Sequence, residues 1–485
     1  MDNTTQNSGT EAQNSPLYVD LDGTFIKSDM LLESFLAALK DNILVCFWAC
    51  LWLLKGKAYL KYRLFQAAQI NVATIPVNPE TYAFLEQQKK RGRTVFLATA
   101  SNERIADAFV KAYPSIFDGY IASSDTHNLK GPNKLAKILE QETAFAYMGN
   151  SIEDYTLFER AAEAYLVAPT NRARRADRAD TQFTNRFDMK SDASLKVWIK
   201  QLRIYQWLKN GLIFVPLLVS NQFTDLNAML ATSVAFITFG LLASSTYVLN
   251  DLLDLEADRQ HARKRFRPLA ACMLSLHHAA LVAFILFVLA LAIAFWLSPF
   301  FLLTLIIYLV LTLSYSFKLK RYFAMDVIAL ASLYTIRIFA GAAVIGVTVS
   351  FWLLGFSMFV FLSLALVKRC AELVALKQKN QLQVAGRDYN VNDLMVFTSF
   401  GSTSSMISLL MYCFYLNSDV LKNQYQEPQV LWLALPCLGY WLMRMWVKTL
   451  RGEMHDDPII FSLKDKGSVI AVFLMLILTV SAQLL

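Results

Sequence analysis

The sequence predicts two fold classes in one chain: an α/β doubly wound domain with a helical cap over residues 17–170, then an all-α polytopic membrane domain of nine helices over residues 201–485. Three observations carry this. The 485 residues are 55% hydrophobic and only 17% charged, with mean hydropathy +0.37, yet most of the acids fall in the first 200. Such a chain is too long for one ordinary domain, and its apolar part is of membrane composition. Short apolar strands in the first part each run into a polar cluster. In the second part, apolar segments alternate with loops that are basic on one side only.

Residues 1–16 are polar, rich in Asn, Thr and Ser, and read as a disordered tail. No signal-peptide pattern opens the chain, so the α/β domain is expected to stay cytoplasmic. The net charge of +8 suits basic membrane loops and does not call for nucleic acid. The six cysteines have no metal-ligand spacing and read as small hydrophobes in a reducing compartment.

Within 17–170, LYVDLDGT is a strand ending in Asp20, Asp22, Gly23 and Thr24. A second strand (94–99, TVFLAT) ends at Thr99, Ala100 and Ser101. Lys134 follows in LKGPNK, and a third strand (144–148) runs into Gly149, Asn150, Ser151 and Asp154. Alternating strands and amphipathic helices predict a parallel sheet whose ligands bind beyond the carboxyl ends of the strands. The four motifs in this order resemble the haloacid dehalogenase superfamily of phosphatases. The resemblance implies Asp20 as the nucleophile that forms an aspartyl-phosphate and Asp22 as general acid/base. It implies Thr99 and Lys134 as holders of phosphoryl oxygens. Mg²⁺ would be held by Asp20, by Asp22 through its backbone carbonyl, and by Asn150 and Asp154. One departure is that Asn150 stands where the third acidic motif usually carries Asp.

A helical cap is expected over about residues 30–75. Its segment 44–54 (LVCFWACLWLL) is too short for a span, which needs ~20 residues. It reads either as a surface-dipping element flanked by Lys40, Lys55, Lys57, Lys61 and Arg63 or as a buried cap core. Residues 171–200, with Arg172, Arg174, Arg175 and Arg178, read as a basic linker along lipid headgroups.

Nine apolar segments follow: 209–222, 228–249, 277–297, 299–316, 326–346, 351–367, 394–416, 429–447 and 468–485. Only helices satisfy an open chain's backbone in lipid. The loops that gather Arg259 to Arg267, Lys318 to Arg321, Lys368 to Arg387 and Lys448 to Lys466 all fall on one side. The positive-inside rule makes that side cytoplasmic and puts the C-terminus on the far side of a bacterial-type inner membrane.

The stretch NDLLDLEADRQHARKRFRP, Asn250 to Pro268, carries the chemistry. Asn250, Asp251, Asp254 and Asp258 are spaced by three and four, which lines one helix face. Three carboxylates so placed repel unless a cation sits among them, and all-oxygen ligands suit Mg²⁺ completed by substrate phosphates. Arg259, Arg263, Lys264, Arg265 and Arg267 follow as phosphate donors. The pattern is that of a magnesium–diphosphate site. Asp326 and, eleven residues on, Arg337 share a helix side, and an arginine that deep in a span is a functional candidate.

NDLLDLEADR followed by KRFRP resembles the intramembrane prenyltransferase family typified by UbiA. QWLKN, YSFKLKRYFAMDV, VKRCAEL and RGEMHDDPIIF resemble its decaprenyl-phosphate phosphoribosyltransferase branch. The family's second acidic motif, of DxxxD type, is incomplete here, since Leu330 follows Asp326. The resemblance implies a Mg²⁺-dependent enzyme with a diphosphate-bearing sugar donor and a polyprenyl phosphate acceptor. Metal would be held by Asn250, Asp251, Asp254, Asp258 and Asp326. Phosphates would be met by Lys209, Asn250, Arg263, Lys264, Arg267, Arg337, Lys368, Arg369, Arg451 and Lys464. The fused phosphatase-like domain is expected to act on the transferase product. The alternatives are a prenyltransferase that joins a polyprenyl chain to an aromatic or other acceptor, and a transporter or lipid-binding scaffold without chemistry.

Overall fold

The computed structural model describes residues 15–68, 70–125, 127–176, 183–187, 193–381, 387–418, 421, 425–454 and 457–484. The chain forms two compact units, one of Met1–Gln201 with Val248–Val282 and one of Leu202–Tyr247 with Ala283–Leu485. The acidic stretch therefore groups with the N-terminal residues. The predicted tail lies almost wholly outside the described residues, as does Arg178.

The first unit is built on a six-stranded, all-parallel sheet of order β3-β2-β1-β4-β5-β6. The strands are β1 (Leu17–Val19), β2 (Val95–Asn102), β3 (Gly119–Ser123), β4 (Ala146–Gly149), β5 (Glu163–Val167) and β6 (Asn185–Phe187). Leu17 pairs with Val95 on one side and Ala146 on the other, so β1 is central. Leu17, Val19, Val95, Leu97, Ala146 and Met148 enter one core, while Tyr18, Phe96, Ala98 and Tyr147 enter a second. A sheet covered on both faces explains why these strands read as unbroken apolar runs. Strand β6 comes from within the stretch predicted as linker. Its three residues, Asn-Arg-Phe, are too few and too polar to show a strand period.

The cap is three helices: α1 (Met30–Asp41), α2 (Val45–Leu54) and α3 (Lys57–Ala67). Asp29 caps α1 by accepting from the Leu32 N–H at 3.1 Å. Ala38, Val45, Leu64 and Ala68 form a small core among them. Of α2 only Val45 is buried, so the alternative of a buried cap core does not describe it. Further on come α4 (Pro79–Lys90), α5 (Glu103–Ala112), α6 (Pro132–Leu139) and α7 (Tyr155–Phe158).

Among the described residues, seven helices are long and apolar enough to cross a membrane: Leu226–Leu253, Leu276–Leu297, Pro299–Phe317, Met325–Ile345, Phe351–Gln378, Val391–Leu416 and Pro428–Leu450. The expected count of nine is therefore not reached among the described residues, which give seven spans, or eight if a bent pair at the end is taken as one, and the departures lie at both ends. The first predicted segment is a 3₁₀ run, Ile204–Phe214, continued by Val215–Val219. Pro216, without an N–H, cannot extend the α pattern backwards. The last is a bent pair, Pro458–Lys464 and Lys466–Ala482, turned by 91°. In the second unit, a Cβ on Gly341 would lie 2.0 Å from the Ile213 carbonyl, so only glycine lets Met325–Ile345 pack against the 3₁₀ run.

Candidate functional sites

The first site lies at the carboxyl ends of β1, β2 and β4. Lys134, which α6 delivers, is buried and donates to Asp20 Oδ1 at 2.8 Å and contacts the Tyr147 hydroxyl at 2.9 Å. Tyr147 in turn donates to Asp154 Oδ1 at 2.7 Å. The other Asp154 oxygen accepts from the N–H groups of Asn150 and Ser151 and from the Ser151 hydroxyl, at 3.2, 2.9 and 2.7 Å. Asp154 thus braces the loop that presents Asn150. A Cβ on Gly23, whose φ is +73°, would stand 2.1 Å from Asn150 Nδ2, so the loops after β1 and β4 close on each other only because Gly23 has no side chain. Thr99 is buried and its Oγ1 accepts from the Ser101 N–H at 2.9 Å.

Asp22 takes the first N–H of α1, from Met30, at 2.8 Å, and the Ser101 hydroxyl at 3.2 Å. Burial pushes the Asp20 carboxyl up to about 6, with Lys134 pulling it down and Asp154 pushing it up. Burial, aided by Asp29 and Asp20, pushes Asp22 up to about 7. Near neutrality Asp20 is thus the more readily ionised of the two neighbouring carboxyls. For magnesium, the Asp20 carboxylate, the Asp22 carbonyl and the Asn150 amide form an oxygen-bearing donor set. It suits an ion that keeps water and phosphate as its remaining ligands. No group of three or more His, Cys, Asp or Glu converges for a metal among the described residues.

The sequence reading did not single out three residues here. Tyr147 reads as core because it is an aromatic in a strand. Ser101 appeared only as a strand end. Lys61 of α3, read only as a flanking charge, donates to the Ala100 carbonyl at 2.6 Å, and its ammonium feels both Asp22 and Asp20.

The acidic stretch, also in the first unit, is not one continuous helix. The helix Leu226–Leu253 stops, Asp254 takes φ −101° and ψ 16°, and Leu255–Gln260 resumes. The chain of N–H bonds survives the break, from Asp254 to Asn250 O at 3.0 Å and from Asp258 to Asp254 O at 2.8 Å. Buried Asp251 and Asp258 converge on one nitrogen of Arg267, at 2.9 and 2.5 Å. Gln201 adds a donor to Asp251 at 2.9 Å, and Lys264 stands 3.8 Å from Asp258. Half-exposed Asp254 faces Lys40 of α1 at 3.1 Å. A cation therefore does sit among these carboxylates, and it is a guanidinium. Two carboxylate oxygens gathered on one point also suit Mg²⁺ completed by a diphosphate, provided that Arg267 turns toward the phosphate. Asn250 is half-buried and Arg263 exposed.

Arg259 is the anchor of this stretch. It grips Glu33 of α1 with two nitrogens at 2.6 and 3.1 Å, and Ser28 donates to the same carboxylate at 2.5 Å.

In the second unit, the predicted residues fall into two groups. Asp326, fully buried, is bound by Arg369 at 2.7 and 2.9 Å and by the Tyr315 hydroxyl at 3.0 Å. Arg369 also holds Glu372 at 2.7 Å, and Arg387 closes on the far oxygen of Glu372. Asp326 and Arg369, expected as metal and phosphate ligands, are thus each other's partners. The other group centres on Asp457, which the sequence reading did not single out. Its Oδ2 meets Lys209 at 2.8 Å, the Tyr334 hydroxyl at 2.8 Å and Lys368 at 3.4 Å. The available signal was an Asp-Pro helix start, Asp457 being the N-cap before Pro458. Arg337 donates to Asn210 Oδ1 at 2.9 Å and lies over the rings of Phe239, Tyr308 and Tyr334. Arg451 and Lys464 are exposed.

The chain thus combines several candidate spans, acids at the end of one and buried basic residues in others, the make-up of a polytopic membrane protein with a polar site. The model described as the UbiA prenyltransferase family matches residues 212–477, more than half of the chain, and the protein belongs to that family. The protein y4nM of Sinorhizobium fredii (strain NBRC 101917 / NGR234) is 35% identical over 455 residues, 93% of this chain and 88% of that one. The combination of the two units therefore recurs. A decaprenyl-phosphate phosphoribosyltransferase of Mycolicibacterium smegmatis is 29% identical over 278 residues, 55% of this chain and 86% of that one. A UbiA homologue from Archaeoglobus fulgidus solved with GPP and Mg²⁺ is similar at 17% identity and a TM-score of 0.45, over 60% of this chain and all of that one.

Proposed function

We propose that this multi-pass membrane protein transfers phosphoribosyl from phosphoribosyl pyrophosphate to a polyprenyl phosphate, and that its N-terminal domain then removes the 5-phosphate. The observation that carries the first half is the state of the second acidic motif. Asp326 is committed to Arg369, and Leu330 stands where a further carboxylate would be. That leaves the acidic turn at Asn250–Asp258 to serve a single diphosphate, which favours a sugar donor over the two-motif grip on a prenyl diphosphate. The kinship with decaprenyl-phosphate phosphoribosyltransferases supports the same choice.

In this reading Asp251, Asp254 and Asp258 would hold magnesium, which would supply positive charge to the departing diphosphate. Arg267 and Lys264 move their charge from carboxylate to phosphate oxygens as the bond to the anomeric carbon breaks. Lys209 and Lys368, gathered by Asp457, hold the phosphate of the donor or acceptor. An oxygen of the lipid phosphate attacks the anomeric carbon. In the N-terminal centre Asp20 attacks the 5-phosphorus while Lys134 and Thr99 hold its oxygens, and Asp22 gives its proton to the departing ribose oxygen. Asp22 then takes a proton from the water that opens the aspartyl-phosphate. The enzyme sits in a bacterial inner membrane with this domain on the cytoplasmic side.

The test is mass spectrometry of lipids formed by purified protein from phosphoribosyl pyrophosphate and polyprenyl phosphate, with Asp254→Ala as control. A ribosylated lipid from wild type and its 5-phosphate from Asp20→Asn are expected. Product only from a prenyl diphosphate and an aromatic acceptor overturns the transferase reading. Accumulation of the phosphorylated lipid in wild type, unchanged by Asp20→Asn, overturns the phosphatase reading.

A further inference from the structure

We propose that α2 lies in the membrane interface and fastens the phosphatase-like centre to the bilayer. Resting on the reading just given, this makes its substrate a phosphate ester carried by a lipid. The sequence of α2, VCFWACLWLL, is apolar around its whole circumference, and its ten residues cover only ~15 Å, half of a hydrocarbon core. It cannot span, and the protein does not bury it. On the helix Phe47 is 62% exposed, Trp48 45%, Leu53 48% and Leu54 84%, and Ile43 and Leu44 just before it are exposed as well. A contiguous apolar surface of this kind marks a docking face.

Two further observations fix lipid as the occupant. Lys55 and Lys57 follow the helix, where cations meet anionic headgroups, and Trp48 suits the interfacial belt. A bilayer is also within reach by chain geometry. Lys40, at the end of α1, pairs with Asp254, the residue that follows the candidate span Leu226–Leu253. Leu252 and Leu253 of that span line a cavity of about 310 Å³ together with Leu36 and Lys40 of α1. From Asp41 to Val45 the chain can reach no more than ~14 Å. Thus α2 begins beside the end of a membrane helix. The return helix α3 carries Lys61, which reaches the Ala100 carbonyl beside Asp22, so the lipid-facing hairpin is also part of the mouth of the centre.

Because the whole chain is membrane-bound, the test must read depth. Cys50 lies on α2 and is exposed. With the other five cysteines replaced, full-length protein carrying an NBD label at Cys50 is placed in phosphatidylcholine–phosphatidylglycerol vesicles. Quenching by lipids doxylated near the headgroup and protection from aqueous iodide are expected. A control label at Lys111→Cys, an exposed position on α5, should show the reverse. Iodide quenching at Cys50 equal to that at the control, without doxyl quenching, overturns the proposal. So does a Cys50–Cys50 crosslink between two chains without doxyl quenching, since a second copy then covers the face. The double variant Phe47→Glu, Leu54→Glu should return the Cys50 label to water. It should also slow hydrolysis of a lipid-borne phosphate by about tenfold while leaving p-nitrophenyl phosphate hydrolysis unchanged. Lipid quenching at Cys50 in a protein that hydrolyses neither ester upholds the anchor and removes the phosphatase reading alone.

Discussion

At the ends of β1, β2 and β4, Asp20 and Asp22 stand with one buried lysine in direct contact, and both carboxyls are pushed up toward neutrality. In the membrane unit both oxygens of Asp326 are met by the Arg369 guanidinium, and one also by the Tyr315 hydroxyl. Both are buried acids on regular elements, yet one set is short of positive charge and the other is saturated. An acid the protein leaves under-neutralised costs stability and is retained for chemistry. One matched by a fork of guanidinium nitrogens fastens helices together. The acidic turn lies between the two cases, because Arg267 neutralises Asp251 and Asp258 with a side chain that can move, being partly exposed.

The largest expected effect is at Asp22. Asp22→Asn should lower phosphate-ester hydrolysis by about 10²–10⁴-fold, the range of a lost general acid. The same variant should stabilise the chain in chelator. The folded carboxyls of Asp20 and Asp22 are raised to about 6 and 7 from 3.8. Between pH ~4 and ~7 the folded chain therefore holds protons that the unfolded chain has released, so stability falls as pH rises through that window. Thermal unfolding of the metal-free protein should show this fall, and Asp22→Asn should flatten it. A variant that is inactive and also less stable at every pH would place Asp22 with the saturated acids.

Arg369→Met tests the other side. It leaves Asp326 buried without its partner and should cost about 3–5 kcal/mol, read as a lower unfolding midpoint in detergent. The double variant Asp326→Leu, Arg369→Met should recover most of that loss, because removing both charges is often neutral. If the double variant folds well but transfers nothing, Asp326 does more than hold helices. Arg259→Met should act similarly in the first unit, by about 2–4 kcal/mol, since Ser28 remains to satisfy part of Glu33.

What could be read from the sequence follows the same division. Asp20, Asp22, Thr99 and Asn150 could be brought together from sequence because strand ends in a parallel sheet are fixed in space by a period of two and by order along the chain, whereas Lys134, read as a loop residue, comes from α6 and was picked out only by the order of the motifs. The acidic turn was legible by its spacing, although the break at Asp254 was not, since a helical face drawn at three and four residues assumes an unbroken helix. The Asp326–Arg369 pair joins residues 43 apart on two different helices, and no local pattern encodes which cation an acid will meet. Asp457 was hidden in the same way, its partners Lys209 and Lys368 lying 248 and 89 residues away. Strand β6 and the exposure of α2 depend on what the rest of the fold leaves uncovered.

The smallest predicted effect separates coupling from mere contact in the first unit. Lys40 and Asp254 are both half-exposed, so their ion pair at 3.1 Å should contribute only ~0.2–1 kcal/mol, and Lys40→Ala should scarcely move the unfolding midpoint. Yet α1 gives its first N–H to Asp22 at one end and Lys40 to Asp254 at the other, across twelve residues or about 18 Å of rigid helix. If a diphosphate and Mg²⁺ draw Asp254 away from Lys40, that change is delivered to the helix whose first N–H holds Asp22. Phosphatase kcat measured with and without phosphoribosyl pyrophosphate should then differ in wild type and converge in Lys40→Ala. Equal rates in wild type under both conditions would leave Lys40–Asp254 as a surface pair and nothing more.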